Sequence, residues 1–236
     1  MQGEAADGLE LLDDFEVRVL GVLAEKEGIT PDSYPLSLNA LTAGCNQLSS
    51  RDPVMSMSEQ TITAVLQRLV QRRLVSEVRQ AGARVAKYEH RMRMKWSLEQ
   101  DKLAALTVLM LRGIQTAGEI RARCGRLHDF ATVADVETAL QFLIDKFPPL
   151  VARLPRAPGT KEARYAHLLS GSERVEQQEV AGSFASNLEP AAGVSPPARP
   201  LSSSDRVAAL ETEVAALRAE LERLNAQFAE FRRQFE

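Results

Sequence analysis

The stretch SEQTITAVLQRLVQRRLVSEVRQAGARVAKYEH (residues 58–90) decides the fold. Ile62, Val65, Leu66 and Leu69 recur at helical spacing, which predicts a helix with one stripe on a core. Ser58 stands where an N-cap belongs, and Ser56–Glu59 has capping-box spacing. Leu74–Val78 and Arg84–His90 are rich in β-branched and aromatic residues, and Gln80, Ala81 and Gly82 between them supply a hairpin turn. A helix running directly into a two-stranded ribbon is the second half of a winged helix-turn-helix.

Working outward, the first half of that unit precedes it. Asp13–Glu16 opens a helix with acid in its first turn, Phe15, Val19, Val22 and Leu23 make its buried stripe, and Gly28 ends it. A loop with two prolines (Thr30–Pro35) leads to a second helix over Leu36–Gln47 with Leu38, Leu41 and Cys45 inward. A second loop, Leu48–Met55, follows. The order is helix, helix, helix, strand, strand.

Downstream the order repeats. Ser97–Gln100 and Thr116–Glu119 have capping-box spacing and open two helices, the second ending near Gly125, and Thr132 caps a third that carries Val136, Leu140 and Leu143. Strands over Leu150–Leu154 and Glu162–Leu168 close the unit. The last strands of the two units align as RVAKYEH (84–90) against KEARYAH (161–167), and the third helices as VLQRL (65–69) against ALQFL (139–143). Resemblance at both places, in the same order, indicates an internal duplication. The organisation read from the chain is a mobile N-terminus over 1–12, winged-helix domains over 13–95 and 96–171, a Ser/Ala/Gly/Pro-rich flexible linker over 172–204, and a coiled-coil helix over 205–236. The expected fold is therefore mainly α with small β wings.

The terminal segment carries a heptad. Val207, Leu210, Val214, Leu217, Leu221, Leu224 and Phe228, continued by Phe231 and Phe235, alternate at spacings of three and four. The flanking pairs Arg206–Glu211 and Glu213–Arg218 are opposite in charge, as a parallel dimer requires, and Val alternating with Leu favours two strands. The terminal phenylalanines are bulky for such a seam and leave a trimer or another partner open. A helix folding back on the globular part is the competing reading.

The net charge is −3, which excludes a generic polyanion binder, but the charge is segregated. Residues 1–16 hold six acids and no base, whereas residues 60–99 hold nine bases against three acids. Such a basic patch is an electrostatic footprint for phosphate. Opposite the buried stripe of the third helix lie Gln60, Ala64, Gln67, Arg68 and Gln71, and Gln and Arg make paired hydrogen bonds to base edges in a major groove. Arg72 flanks that face, and the wing adds Arg79, Arg84 and Lys87 for phosphate contact. The bland alternative is that Gln and Arg are good exposed helix formers. The equivalent helix of the second unit shows Thr138, Gln141, Phe142 and Asp145 outward, with Asp135 and Glu137 adding negative charge, which suits a protein contact better than a groove.

Two cysteines far apart, Cys45 and Cys124, make no disulfide framework and suit a reducing cytosol. No signal peptide or membrane-length apolar run is read, so a cytoplasmic protein is expected. Cys124 and His128 are four apart but read as a buried thiol and a loop histidine. No metal-ligand spacing, Gly-rich phosphate loop or nucleophile elbow occurs, so neither an enzyme nor a cofactor is expected. Asn39, Asn46, Gln47, Arg51 and Asp52 form a polar cluster around the second helix, with a structural role preferred over a ligand surface.

The segments TPDSYPLSLN (30–39), CNQ (45–47), RDPVM (51–55), RVAKYEH (84–90), LRGIQTAGEIR (111–121) and RYAHL (164–168) resemble the YceH family of uncharacterised bacterial proteins, over about residues 13–170. The resemblance implies tandem winged-helix domains and no settled activity. Phe147-Pro-Pro-Leu150 departs from the Gly expected before the second wing.

The heptad generates a first prediction. Deleting residues 205–236 is expected to convert a dimer into a monomer in size-exclusion chromatography with light scattering. An unchanged mass would refute the zipper.

Overall fold

The computed structural model describes residues 11–79, 85–156 and 162–177. The heptad segment, Arg84 and the expected hairpin turn lie outside the described residues.

The first half runs α1 (Asp14–Ile29), β1 (Leu36–Ser37), α2 (Leu38–Cys45), α3 (Glu59–Gln71), β2 (Val75–Val78), β3 (Lys87–His90) and α4 (Met92–Trp96). The second runs α5 (Gln100–Arg112), β4 (Gln115–Thr116), α6 (Ala117–Cys124), α7 (Val133–Ile144), β5 (Val151–Leu154) and β6 (Arg164–His167). The architecture is mainly helical, with two small antiparallel sheets of three strands in the orders β1-β3-β2 and β4-β6-β5. Their registers correspond: Tyr88 opposes Leu36 as Tyr165 opposes Gln115, and His90 opposes Val75 as His167 opposes Val151. The two strands that match in sequence are thus the two central strands of equivalent sheets.

Local chemistry sets most helix boundaries. Asp13 and Glu16 form a reciprocal capping box at α1, and Thr116–Glu119 and Thr132–Asp135 do the same at α6 and α7. Ser58 caps α3 by accepting from the Thr61 amide, so the Ser56–Glu59 spacing is not used. Helix α3 ends in a Schellman motif. Arg73 takes a left-handed φ of 57°, its N–H donates to Val70, and the Leu74 N–H donates back to Leu69. That turn aims β2 back along α3 and buries Leu69 and Leu74 together.

Several expectations are corrected. Helix α1 runs past Gly28 to Ile29 and is stopped at Thr30 before Pro31. Phe15 is 42% exposed, while the neighbouring Glu16 and Arg18 are buried. Residues Met92–Trp96, to which the sequence reading gave no element, form α4, whose end places Ser97 at φ 49°, so Ser97 cannot cap α5; Glu99 occupies the N-cap without a side-chain bond. The two-residue strands β1 and β4 are too short for periodicity to reveal. Leu12, read as mobile, is buried and its N–H donates to the Leu169 carbonyl. Residues 172–177, read as linker, are helical, with Val175 buried and Arg174 paired to Asp14. The second hairpin forms without the expected Gly, anchored by the Leu150 N–H on the Leu143 carbonyl.

One hydrophobic core spans both halves. Helices α1 and α5 pack against each other, with Gly21 meeting Leu111 and Met110 so closely that a Cβ there would sit 2.9 Å from Leu111 Cδ2. Helix α2 approaches α1 more closely still, since a Cβ on Gly44 would lie 2.6 Å from Val22 Cγ1. Val is stiff at χ1 and cannot swing aside. Gly44→Ala is therefore expected to cost about 1–3 kcal/mol of stability, read by chemical denaturation. An unchanged midpoint would refute the close approach.

Candidate nucleic-acid interface

Helix α3 buries Ile62, Val65, Leu66 and Leu69 and turns its other side to solvent. Gln60, Ala64, Gln67 and Gln71 are all exposed, and the second half covers none of them. Arg68 and Arg72 stand at the edge of that face, drawn toward the start of α1. Arg68 donates to Glu16 at 3.0 Å and is paired with Asp13, while Arg72 donates to Glu16 at 2.9 Å and to the Leu11 carbonyl at 2.9 Å. Glu16 is buried and lies between the two guanidiniums. Its hydrogen bond pushes the Arg68 pKa further up. Arg68 keeps 45% of its side chain exposed, Arg72 only 17%.

On the sheet, Arg79 is exposed and paired with Glu77. Lys87 sits opposite Ser37 and Val78 in β3 and has no ion pair among the described residues. Beyond the hairpin, Arg91 lies 3.6 Å from Glu89 and Arg93 lies 2.9 Å from Glu27. The structure thus brings Gln60, Gln67, Gln71, Arg68 and Arg72 onto one helix, with Arg79 and Lys87 on the adjacent sheet. Much of the basic patch read from the sequence is matched by nearby carboxylates.

The polar cluster after α2 is a staple. The Asn46 side chain both donates to the Met57 carbonyl at 2.8 Å and accepts from the Met57 N–H at 2.7 Å, closing the loop onto the start of α3. Arg51 is buried and grips Glu25 of α1 with two hydrogen bonds, at 3.0 and 2.6 Å, while also donating to Gly44 and Gln47. The Asp52 N–H donates to the Leu111 carbonyl and ties the loop to α5. Arg18, fully buried, donates to the carbonyls of Cys45 and Pro53. Asn39 is exposed. Sequence reading placed Arg51 here but missed its partner Glu25 and the buried Arg18. Arg18, set between Val17 and Val19 on α1, was the available signal; Glu25, followed by Lys26 and Glu27, gave none.

Cys45 and Cys124 are free thiols whose pKa values burial pushes up to about 12, which leaves them unreactive. His128 rests edge-on against Phe130, away from any ligand role with Cys124. Among the described residues no group of His, Cys, Asp and Glu could hold a metal ion, and no helix is long and apolar enough to cross a membrane. On α7, Phe142 is 41% exposed and flanked by the ammonium groups of Lys102 and Lys146 at 5.3 and 4.9 Å from its ring centre.

The family described as "Protein of unknown function, DUF480" matches residues 12–160, which contain all of these side chains. The chain belongs to the DUF480 family. Bacterial relatives carry the name UPF0502 protein. One from Herminiimonas arsenicoxydans is 65% identical over 226 residues, covering 96% of this chain and 91% of its own. One from Janthinobacterium sp. (strain Marseille) is 62% identical over 230 residues, covering 98% and 94%. A third, from Geobacter metallireducens, is 48% identical over 228 residues, covering 96% and 99%. The YceH-like resemblance denotes this same family.

Burial pushes the Glu25 carboxyl up, but the hydrogen bonds and charge of Arg51 outweigh it and hold the pKa below its ordinary 4.5. The pair's stabilisation is therefore complete above the unfolded value and is lost as pH falls through the lower folded one. Arg51→Met leaves Glu25 without its partner and is expected to cost about 3–5 kcal/mol at neutral pH, measured by urea unfolding. A loss under about 1 kcal/mol would show the pair to be dispensable.

Proposed function

We propose that each half is a winged helix-turn-helix and that the protein is a non-enzymatic, cytoplasmic DNA-binding regulator that dimerises through residues 205–236. The first half carries the contact. The observation that supports this reading most is the open outer face of α3, where Gln60, Gln67 and Gln71 stand clear of the second half. In a major groove these amides pair with base edges. Arg68 keeps donor capacity in solvent beyond its links to Glu16 and Asp13 and meets phosphate at the groove edge. Arg72 acts through position: its hold on Glu16 and Leu11 locks α3 against α1, so the helix enters the groove as a rigid body. Arg79, Arg84 and Lys87 supply the wing's phosphate contacts.

A second reading is a protein-binding adaptor built on paired winged helices. It draws on the exposed Phe142, and on Phe147, which is 86% exposed just beyond α7. The pull-down that tests it compares Phe142→Ala with wild type, and loss of a retained partner supports it.

The DNA reading is tested by a salt titration of duplex binding. Wild type is expected to bind at low salt, with affinity falling linearly in log–log form. Arg79→Ala with Lys87→Ala should reduce the slope by about 2, and Gln60→Ala with Gln67→Ala should weaken a preferred sequence without changing the slope. If wild type fails to bind any duplex at about 50 mM salt, the reading is wrong.

A further inference from the structure

The last turns of α1, α5 and α6 converge on a cleft of about 270 Å³ between the two halves. Four bases line it (Lys26, Arg112, Arg123 and Arg126) against one carboxylate, Glu25. That carboxylate is already committed to Arg51 and lies 3.2 Å from Lys26. Arg123 is partly offset by Glu119 at 3.6 Å and donates one hydrogen bond to Gln115 Oε1 at 2.5 Å. Arg112, half-buried, has no hydrogen-bond or ion-pair partner among the described residues. Burial, then the nearby charges of Arg123 and Arg51, lower its pKa.

Bases in a helix's last turn complement the macrodipole. That explains one solvated base per helix end. It does not explain guanidiniums from separate elements facing one recess, nor Arg126, which lies past the end of α6. Like charges held together in a partly desolvated recess repel, and a multivalent anion turns that repulsion into charge-assisted hydrogen bonding. Gln47, Ser49 and Ser50 add neutral polar groups to the wall, and Leu111 and Leu127 add apolar surface.

We propose that this cleft binds a small phosphate-bearing anion that bridges the two halves of the protein. Its volume is just below the usual range for small-molecule sites, which suits pyrophosphate or a compact phosphorylated metabolite. A recess walled by three helix ends does not admit a duplex backbone, so the site is separate from the face of α3. The proposal does not depend on DNA binding, and either can fail without the other.

The experiment is calorimetric titration of the full-length protein with sodium pyrophosphate at low ionic strength, with a parallel thermal melt. One saturable site per chain is expected, with a dissociation constant of about a millimolar or tighter and a melting temperature that rises with ligand. Arg112→Ala should weaken binding at least about tenfold. Arg126→Ala, at an exposed position that tolerates truncation, should weaken it as well, whereas Lys95→Ala on the surface of α4 should leave it unchanged. The proposal is overturned if pyrophosphate shows no saturable binding to wild type. It is equally overturned if Arg112→Ala and Arg126→Ala both bind as wild type does, or if Lys87→Ala abolishes binding while they do not, which would place the anion on the first sheet.

Discussion

Helix α1 is buried without interruption from Glu16 to Glu25, and that stretch carries three charges. A buried charge must be paired and hydrogen-bonded or it destabilises the fold by several kcal/mol. Each charge on α1 is met by a different part of the first half. Glu16 takes Arg68 and Arg72 and so sets the position of α3. Arg18 takes the carbonyls at the end of α2 and in the following loop. Glu25 takes Arg51 and pins the middle of the same loop. The helix is thus more than an apolar strut, because its charges dictate where the surrounding elements sit.

The same pairing changes the meaning of the charge segregation in the sequence. An acidic start and a basic middle look like a free electropositive surface when read along the chain. In the folded protein part of that segregation is complementarity: Asp13 and Glu16 lie against the arginines of α3, and Arg93 lies against Glu27. Positive charge without an ion pair among the described residues is found elsewhere, at Lys87 on the sheet and at Arg112 in the cleft. Helices α1 and α5, packed through Gly21 and Leu111, each contribute their last turn to that cleft.

The duplication is legible at the level of single residues. Tyr88 and His90 correspond to Tyr165 and His167 in strand register, as the alignment of the two segments requires. The halves differ where their surfaces differ. Burial pushes the His167 pKa down to about 4, whereas the His90 ring lies 3.3 Å from Glu27. Helix α7 turns Phe142 outward between two lysines where α3 turns glutamines outward. Equivalent backbones thus carry different outward faces.

The sequence by itself determined six of the helices and the capped starts of α1, α3, α6 and α7, since caps and a 3.6-residue period depend only on neighbours a few positions apart. It also determined the repeat, the hairpin strands and the family. What only the tertiary structure decided were contacts between distant residues: the two-residue strands that complete each sheet, the turn of α4, the partners of Arg18, Glu25 and Arg51, and the cleft between the halves. These have no local signature. A buried arginine and a solvated one are the same letter in the chain, and the difference is made by what packs over them from more than twenty residues away.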